Sequence, residues 1–233
     1  MKRDGQKIVG VVVYDSPMAR IADRAGADIL SAGDSVGVNM WGHAAEEEIT
    51  LDEMVVVCKA VRRGATHALV SCDLPGSARD VVDAARTLVR DGGAEMVKVE
   101  ADPATIHAIV DAGIAVWAQM SGRAAGGRTQ EVVELVERAH ALQAAGASLL
   151  DFRHSGPIAG PAVVAAVSIP VIGGLGGGPW LDGRVRAIGN AIGYSASALD
   201  DQADRYANVA RVAFEAITAY TADVRAGRQV RGK

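Results

Sequence analysis

At 233 residues, 49% apolar but only 4% aromatic, the chain can bury a sizeable core built mostly of Ala, Val, Ile and Leu. A formal charge of −4 of mixed sign makes no electrostatic case for nucleic acid. No apolar run could span a bilayer and no charged-then-apolar leader opens the chain, so a soluble, cytoplasmic protein without membrane or nucleic-acid partners is expected.

Lys7 to Val13 is largely β-branched and reads as a strand; Asp15-Ser-Pro17 then starts a helix, with Met18, Ile21, Ala22 and Ala25 on one face and Gly26 at its end. The apolar run Ala27 to Ala32 ends abruptly in Gly33-Asp34-Ser35, as a buried parallel strand does when it delivers polar groups to a sheet end. A long loop, Val36 to Ile49, follows, carrying Trp41, His43 and three consecutive glutamates. A loop of that length after a strand reads as a lid or binding loop. Thr50-Leu-Asp-Glu53 is a capping box, and the helix it opens closes on Arg62-Arg63-Gly64. Ala68 to Asp73 is the third strand, and a helix bearing Val81, Val82, Ala85, Leu88 and Val89 stops at Gly92-Gly93.

Met96 to Glu100 is the fourth strand, and Asp102-Pro103 opens a helix ending at Gly113. Ile114 to Met120 is the fifth strand, followed by a polar loop, Ser121 to Arg128. Val132, Leu135, Val136, Ala139 and Leu142 share a helical face. Ser148 to Phe152 is the sixth strand, leading into Arg153-His154; Pro161 to Val167 is helical and Ile169 to Ile172 is the seventh. A glycine-rich turn, Gly173 to Gly178, precedes a weak eighth strand placed within Ala187 to Tyr194. A terminal helix is expected over about 200–225.

Ala25-Gly-Ala, Gly92-Gly-Ala, Asp111-Ala-Gly and Ala145-Gly-Ala each end a helix and start a strand. Glycine at the helix end is therefore the joint of a repeated βα unit. Eight such units make a single-domain (β/α)8 TIM barrel over 1–233 the expected fold, with chemistry at the carboxyl ends of the strands. A doubly wound open sheet is the alternative, weakened because the glycine turn reads GGLGGG and fails the dinucleotide fingerprint.

The strand ends supply Asp34 and Ser35, Asp73, Lys98 and Glu100, Gln119, then Arg153 and His154. Asp34, Asp73 and Glu100 are an all-oxygen set suited to Mg²⁺, on which a 2-oxo acid can chelate through carboxylate and ketone. Charge developing on the ketone oxygen would be stabilised there, with Lys98 adding to it. Individually these acids have an even chance of being helix caps, the role assigned to Asp102; their coincidence on three strands favours a site. His67, His107 and His140 are expected at the surface, while His43 and His154 are better placed for function. Cys58 and Cys72 have neither a CxxC nor a zinc spacing, and Cys72 reads as a small buried side chain.

Tyr14-Asp-Ser-Pro, Gly33-Asp-Ser-Val-Gly37, Ile49-Thr-Leu-Asp-Glu-Met54, Lys59-Ala-Val-Arg-Arg-Gly-Ala65, Asp73-Leu-Pro75, Met96-Val-Lys-Val-Glu100 and Ile169-Pro-Val-Ile-Gly173 closely resemble the ketopantoate hydroxymethyltransferase family. That family belongs to the phosphoenolpyruvate mutase and isocitrate lyase superfamily of metal-dependent barrels. The resemblance covers nearly the whole chain. It implies Mg²⁺ at Asp34 and Asp73 with Glu100 in an inner or outer shell, and Ser35 and Lys98 on the oxo acid. It also implies one-carbon transfer from methylenetetrahydrofolate to 3-methyl-2-oxobutanoate in a homo-oligomer.

The departures lie in the other half of the site. The family's histidine after the fifth strand is replaced within Ala118-Gln119-Met120-Ser121, making Gln119 the substrate contact there. The family's catalytic glutamate, at the end of the sixth strand, falls on Arg153, whose guanidinium stays protonated and is no base. The loop after the fifth strand is shorter than the family's, and a His-Asp pair near the end becomes Gly189-Asn190. His154 is then the candidate for proton transfer, and Arg153 the candidate to grip a second anionic group of a dicarboxylate or phosphonate. Three readings follow: a hydroxymethyltransferase-like enzyme, a superfamily lyase or mutase with a changed substrate, and a non-catalytic metabolite-binding paralogue. Retention of Asp34, Asp73, Lys98 and Glu100 weighs against the last, since buried unused charge is costly.

Overall fold

The computed structural model describes residues 1–122, 129–174, 177–230 and 232. Eight parallel strands hydrogen-bond in chain order and close on themselves: β1 (Ile8–Val13), β2 (Ile29–Ala32), β3 (Leu69–Asp73), β4 (Met96–Val99), β5 (Ala115–Ser121), β6 (Leu149–Arg153), β7 (Val171–Gly173) and β8 (Gly183–Ala187). The expected parallel barrel is therefore formed. Helices α1 (Ser16–Arg24), α2 (Leu51–Gly64), α3 (Val81–Thr87), α4 (Pro103–Asp111), α5 (Thr129–Ala144) and α6 (Ala159–Ala166) fill the connections as far as β7. Beyond β8 come α7 (Ile188–Ala191) and α8 (Val209–Arg225). The chain falls into two compact units, Met1–Arg186 and Ala187–Lys233.

The helix starts follow from their caps. Asp15 accepts from the Met18 N–H at 2.7 Å, Asp102 from the Thr105 N–H at 2.9 Å, and Thr50 and Glu53 form a reciprocal box. The recurring joint glycines end helices in the left-handed region, with φ of 91° at Gly26, 81° at Gly93, 80° at Gly113 and 98° at Gly146. Only glycine turns there without a Cβ clash.

Two boundaries differ from expectation. The eighth strand is Gly183–Ala187 rather than a segment of 187–194, which instead holds the one-turn α7. It has no apolar run to announce it, because exposed Arg184 and Arg186 alternate with buried Gly183 and Val185. The terminal helix begins at Val209 rather than near 200, because Asn208 caps it by accepting from the Arg211 N–H at 2.9 Å. The preceding polar stretch is held by an Arg205–Asp201 ion pair. The expected loop over 121–128 and the glycine turn lie partly outside the described residues, at 123–128 and 175–176.

Strand period and register stack the interior in layers. Ile8, Ile29, Met96, Trp117, Leu149, Ile172 and Val185 form one buried apolar cluster, with Leu69 packed against it. Two residues onward along the same strands stand Ser31, Ser71, Lys98, Gln119 and Asp151. One more step reaches Asp73, Glu100 and Arg153. The barrel floor is apolar; its upper half is polar and charged.

Candidate active site

Lys98 occupies the centre of the upper layer. Its Nζ lies 3.6 Å from Asp73 Oδ2 and 3.4 Å from Asp151 Oδ2, and 5.2 Å from the centroid of the Trp117 ring. Burial opposes the charged ammonium, but Asp73, Asp151 and Asp34 outweigh it, and the group is pushed up to about 12. Lys98 is a fixed cation. The Ser31 hydroxyl donates to Asp73 Oδ1 at 3.0 Å, leaving that carboxylate anchored from two strands.

Asp34 stands just beyond β2. Burial, then the charges of Asp73 and Glu46, raise its carboxyl to about 7, against the opposing pull of Lys98 and the Ser35 N–H. Glu46 belongs to a short 3-10 turn, Glu46–Glu48, so the loop after β2 brings its own acid to the site. In the same loop a π-turn, Gly37–Trp41, lets Gly37 approach His43 so closely that a Cβ on Gly37 would sit 2.5 Å from its Nδ1. Beside Asp34, the Ser35 hydroxyl is 3.0 Å from the Tyr14 phenol, which accepts from Asn39 Nδ2 at 2.9 Å. Burial raises the Tyr14 phenol above its ordinary value.

The other expected residues are distributed differently. Glu100 is exposed; Gln119 Nε2 donates to its Oε2 at 3.0 Å and Arg138 lies 3.8 Å from its Oε1. The three strand-end acids therefore do not close into one cluster: Asp34 feels the charge of Asp73, while Glu100 and Gln119 satisfy each other. Among the described residues, no three His, Cys, Asp or Glu side chains form a group that could hold a metal. Arg153 is half-buried at the end of β6, and no hydrogen bond or ion pair to its guanidinium is found among the described residues. His154 is exposed and adopts φ of 53°, a left-handed conformation uncommon outside glycine.

Asp151, Ser31, Tyr14 and Trp117 were not among the expected site residues. Asp151 is the important addition, at 2% exposure and with Oδ1 unpartnered among the described residues. The signal for it was a lone acid inside the apolar run Leu149 to Phe152, on the face shared with Arg153. His67, His107 and His140 are exposed, as expected. Cys72 is fully buried and its thiol is pushed well up, chiefly by that burial, which suits packing rather than nucleophilic attack.

A closed parallel barrel with charged side chains gathered at the carboxyl ends of its strands defines a barrel enzyme. The model of the family described as "Ketopantoate hydroxymethyltransferase" matches residues 1–229, and the chain belongs to that family. It is 34% identical over 247 residues to the 3-methyl-2-oxobutanoate hydroxymethyltransferase of Moorella thermoacetica, covering 98% of this chain and 91% of that one. It is 37% identical over 242 residues to the enzyme of the same name from Nitratidesulfovibrio vulgaris (strain DP4), covering 95% and 78%. Among solved structures it resembles 2,3-dimethylmalate lyase, described as a member of the PEP mutase/isocitrate lyase superfamily. The TM-score is 0.66 at 17% identity, over 96% of this chain and 84% of that one, a likeness of fold. No helix among the described residues is long and apolar enough to cross a membrane.

Proposed function

We propose that the chain makes or breaks a carbon–carbon bond beside the ketone of a 2-oxo acid. One-carbon transfer from methylenetetrahydrofolate to 3-methyl-2-oxobutanoate is the first reaction to test, given the names its relatives carry. The observation that carries the reading is Lys98 held between Asp73 and Asp151, at 3.6 and 3.4 Å, at the carboxyl end of the barrel. Asp34 and Asp73 fit Mg²⁺: they are oxygen donors, one half-buried and one buried, whose mutual repulsion a divalent cation relieves, and Mg²⁺ is commonly held by one or two carboxylates. When bound, the cation supplies Lewis-acid charge to the ketone oxygen. Glu100 is left outside that pair by its bond to Gln119.

The chain's own residues supply the rest. Lys98 presents an N–H to the oxygen on which negative charge develops, in a barrel interior where such a charge is worth more than in water. Tyr14 and Asn39 orient the Ser35 hydroxyl toward one hydrogen-bonding direction, which suits a contact to the oxo-acid carboxylate. His154, at the end of β6 and with a left-handed φ, is the proposed proton carrier. A homo-oligomer is proposed as well, supported by the exposed apolar side chains of α8.

The test is Mg²⁺-dependent incorporation of solvent deuterium into 3-methyl-2-oxobutanoate. Exchange by the wild type, lost by more than about tenfold in Lys98→Met, is expected; absence of exchange with Mg²⁺ present overturns the hydroxymethyltransferase reading. A second reading is favoured by the Arg153 guanidinium, which has no hydrogen bond or ion pair among the described residues and suits a dianionic oxo acid whose extra carboxylate or phosphonate it grips. On that reading Arg153→Glu raises KM for dianionic oxo acids while improving monoanionic ones, and turnover across a panel of 2-oxo acids distinguishes the two. His154→Ala in the same panel is expected to lower kcat; unchanged turnover removes His154 from the mechanism.

A further inference from the structure

We propose that Asp151 is a positioning residue: from β6 it holds the Lys98 ammonium down in its own layer, so that one N–H stays free for the oxo acid. Lys98 lies on β4, and register sets it directly beside Asp73 on β3 and Trp117 on β5. Asp73 is one layer nearer the strand ends, beside Asp34. Without a second anion Asp73 would hold Lys98 from one side only, and the ammonium would be free to swing out of its position. Asp151 comes from the strand beyond β5, paired in register with Gln119, yet its Oδ2 reaches within 3.4 Å of Nζ. It is 2% exposed, a position where a carboxylate is retained at a solvation cost that only a partner offsets.

Its other oxygen, Oδ1, has no partner among the described residues, and neither have Ser71 Oγ and Trp117 Nε1, which belong to strands on either side of β4. Buried polar atoms are ordinarily satisfied, so this layer suits ordered water that keeps Asp151 fixed behind Lys98. The ammonium's three donors then divide between Asp73, Asp151 and the substrate side.

The proposal rests on the oxo-acid reading only for what the free N–H serves, and its test separates the two. Five lysines make the ¹³Cε signals of the whole metal-free protein assignable. In Asp151→Asn the Lys98 ¹³Cε order parameter is expected to fall to that of the exposed Lys59, the other lysines being unchanged. Oxalate, used as the oxo-acid probe in calorimetry with Mg²⁺, is expected to bind about tenfold more weakly. Asp151→Asn added to Lys98→Met should weaken it no further than Lys98→Met alone. A Lys98 signal that stays ordered in Asp151→Asn, or losses that add in full, overturns the proposal. If Asp151→Asn does not fold, Asp151→Val, close in shape and uncharged, is read in its place. A wild type that binds no oxalate overturns the oxo-acid reading instead, and the lysine order parameter then decides the positioning role by itself.

Discussion

Asp23 is buried near the end of α1 and organises the turn into β3 through a single carboxylate. Its Oδ1 accepts from the backbone N–H groups of Ala68 at 2.8 Å and His67 at 2.9 Å, and its Oδ2 accepts from the Thr66 hydroxyl at 2.6 Å. The Ala68 bond first, then those of Thr66 and His67, hold the carboxyl far below its ordinary value of 3.8. A depressed folded value means stability that is present above 3.8 and lost as pH falls below it toward the folded value. Asp23→Asn is therefore expected to melt lower than wild type at neutral pH, with the gap closing only below the ordinary carboxyl value. Thermal unfolding across that range checks it, and a gap independent of pH would sink the account. The same residue scale shows where sequence reading stops. Asp34, Asp73 and Lys98 stood out because each ends an apolar run. Asp151 sits inside one, and its partner is 53 positions earlier in the chain, so only barrel register brings the two together.

Elements were legible where local chemistry marks both ends. The Thr50–Glu53 box and the basic last turn of α2 set that helix before any tertiary contact is considered, and Thr50→Ala should cost about 1 kcal/mol of stability in urea unfolding. What local chemistry did not reveal is why α2 ends in glycine. Gly64 lies against α1, where an added Cβ would stand 2.5 Å from the Ser16 carbonyl oxygen and 2.6 Å from Ala19 Cβ. Gly64→Ala is expected to destabilise by about 1–3 kcal/mol through forced separation of α1 and α2, although alanine is the better helix former. A variant as stable as wild type would mean the two helices are not in such close contact. β8 and the start of α8 were misjudged for the opposite reason. β8 is recognisable only from its place between β7 and β1, where the Ile8 N–H donates to the Asp182 carbonyl at 3.0 Å, and not from an apolar pattern of its own.

For the whole molecule, the repeated glycine joint made a closed barrel readable from the chain, because each βα unit needs the next to cover its strand. α8 obeys a different logic. Phe214, Ile217, Tyr220 and Val224 recur at three, three and four residues, which sets them on one stripe, and they remain 51%, 63%, 56% and 50% exposed. A contiguous apolar stripe left in water is characteristic of a surface that another protein covers. A second copy of this chain is the economical occupant, since two such helices packed together would bury like against like in an isologous contact. Light scattering on the eluting protein is expected to give a mass that is a multiple of 24.0 kDa. Ile217→Glu combined with Tyr220→Glu should reduce it to the single-chain value while leaving the unfolding midpoint of the barrel in place. A wild type that elutes as a single chain at all concentrations would remove self-association from the account and leave α8 for a different partner.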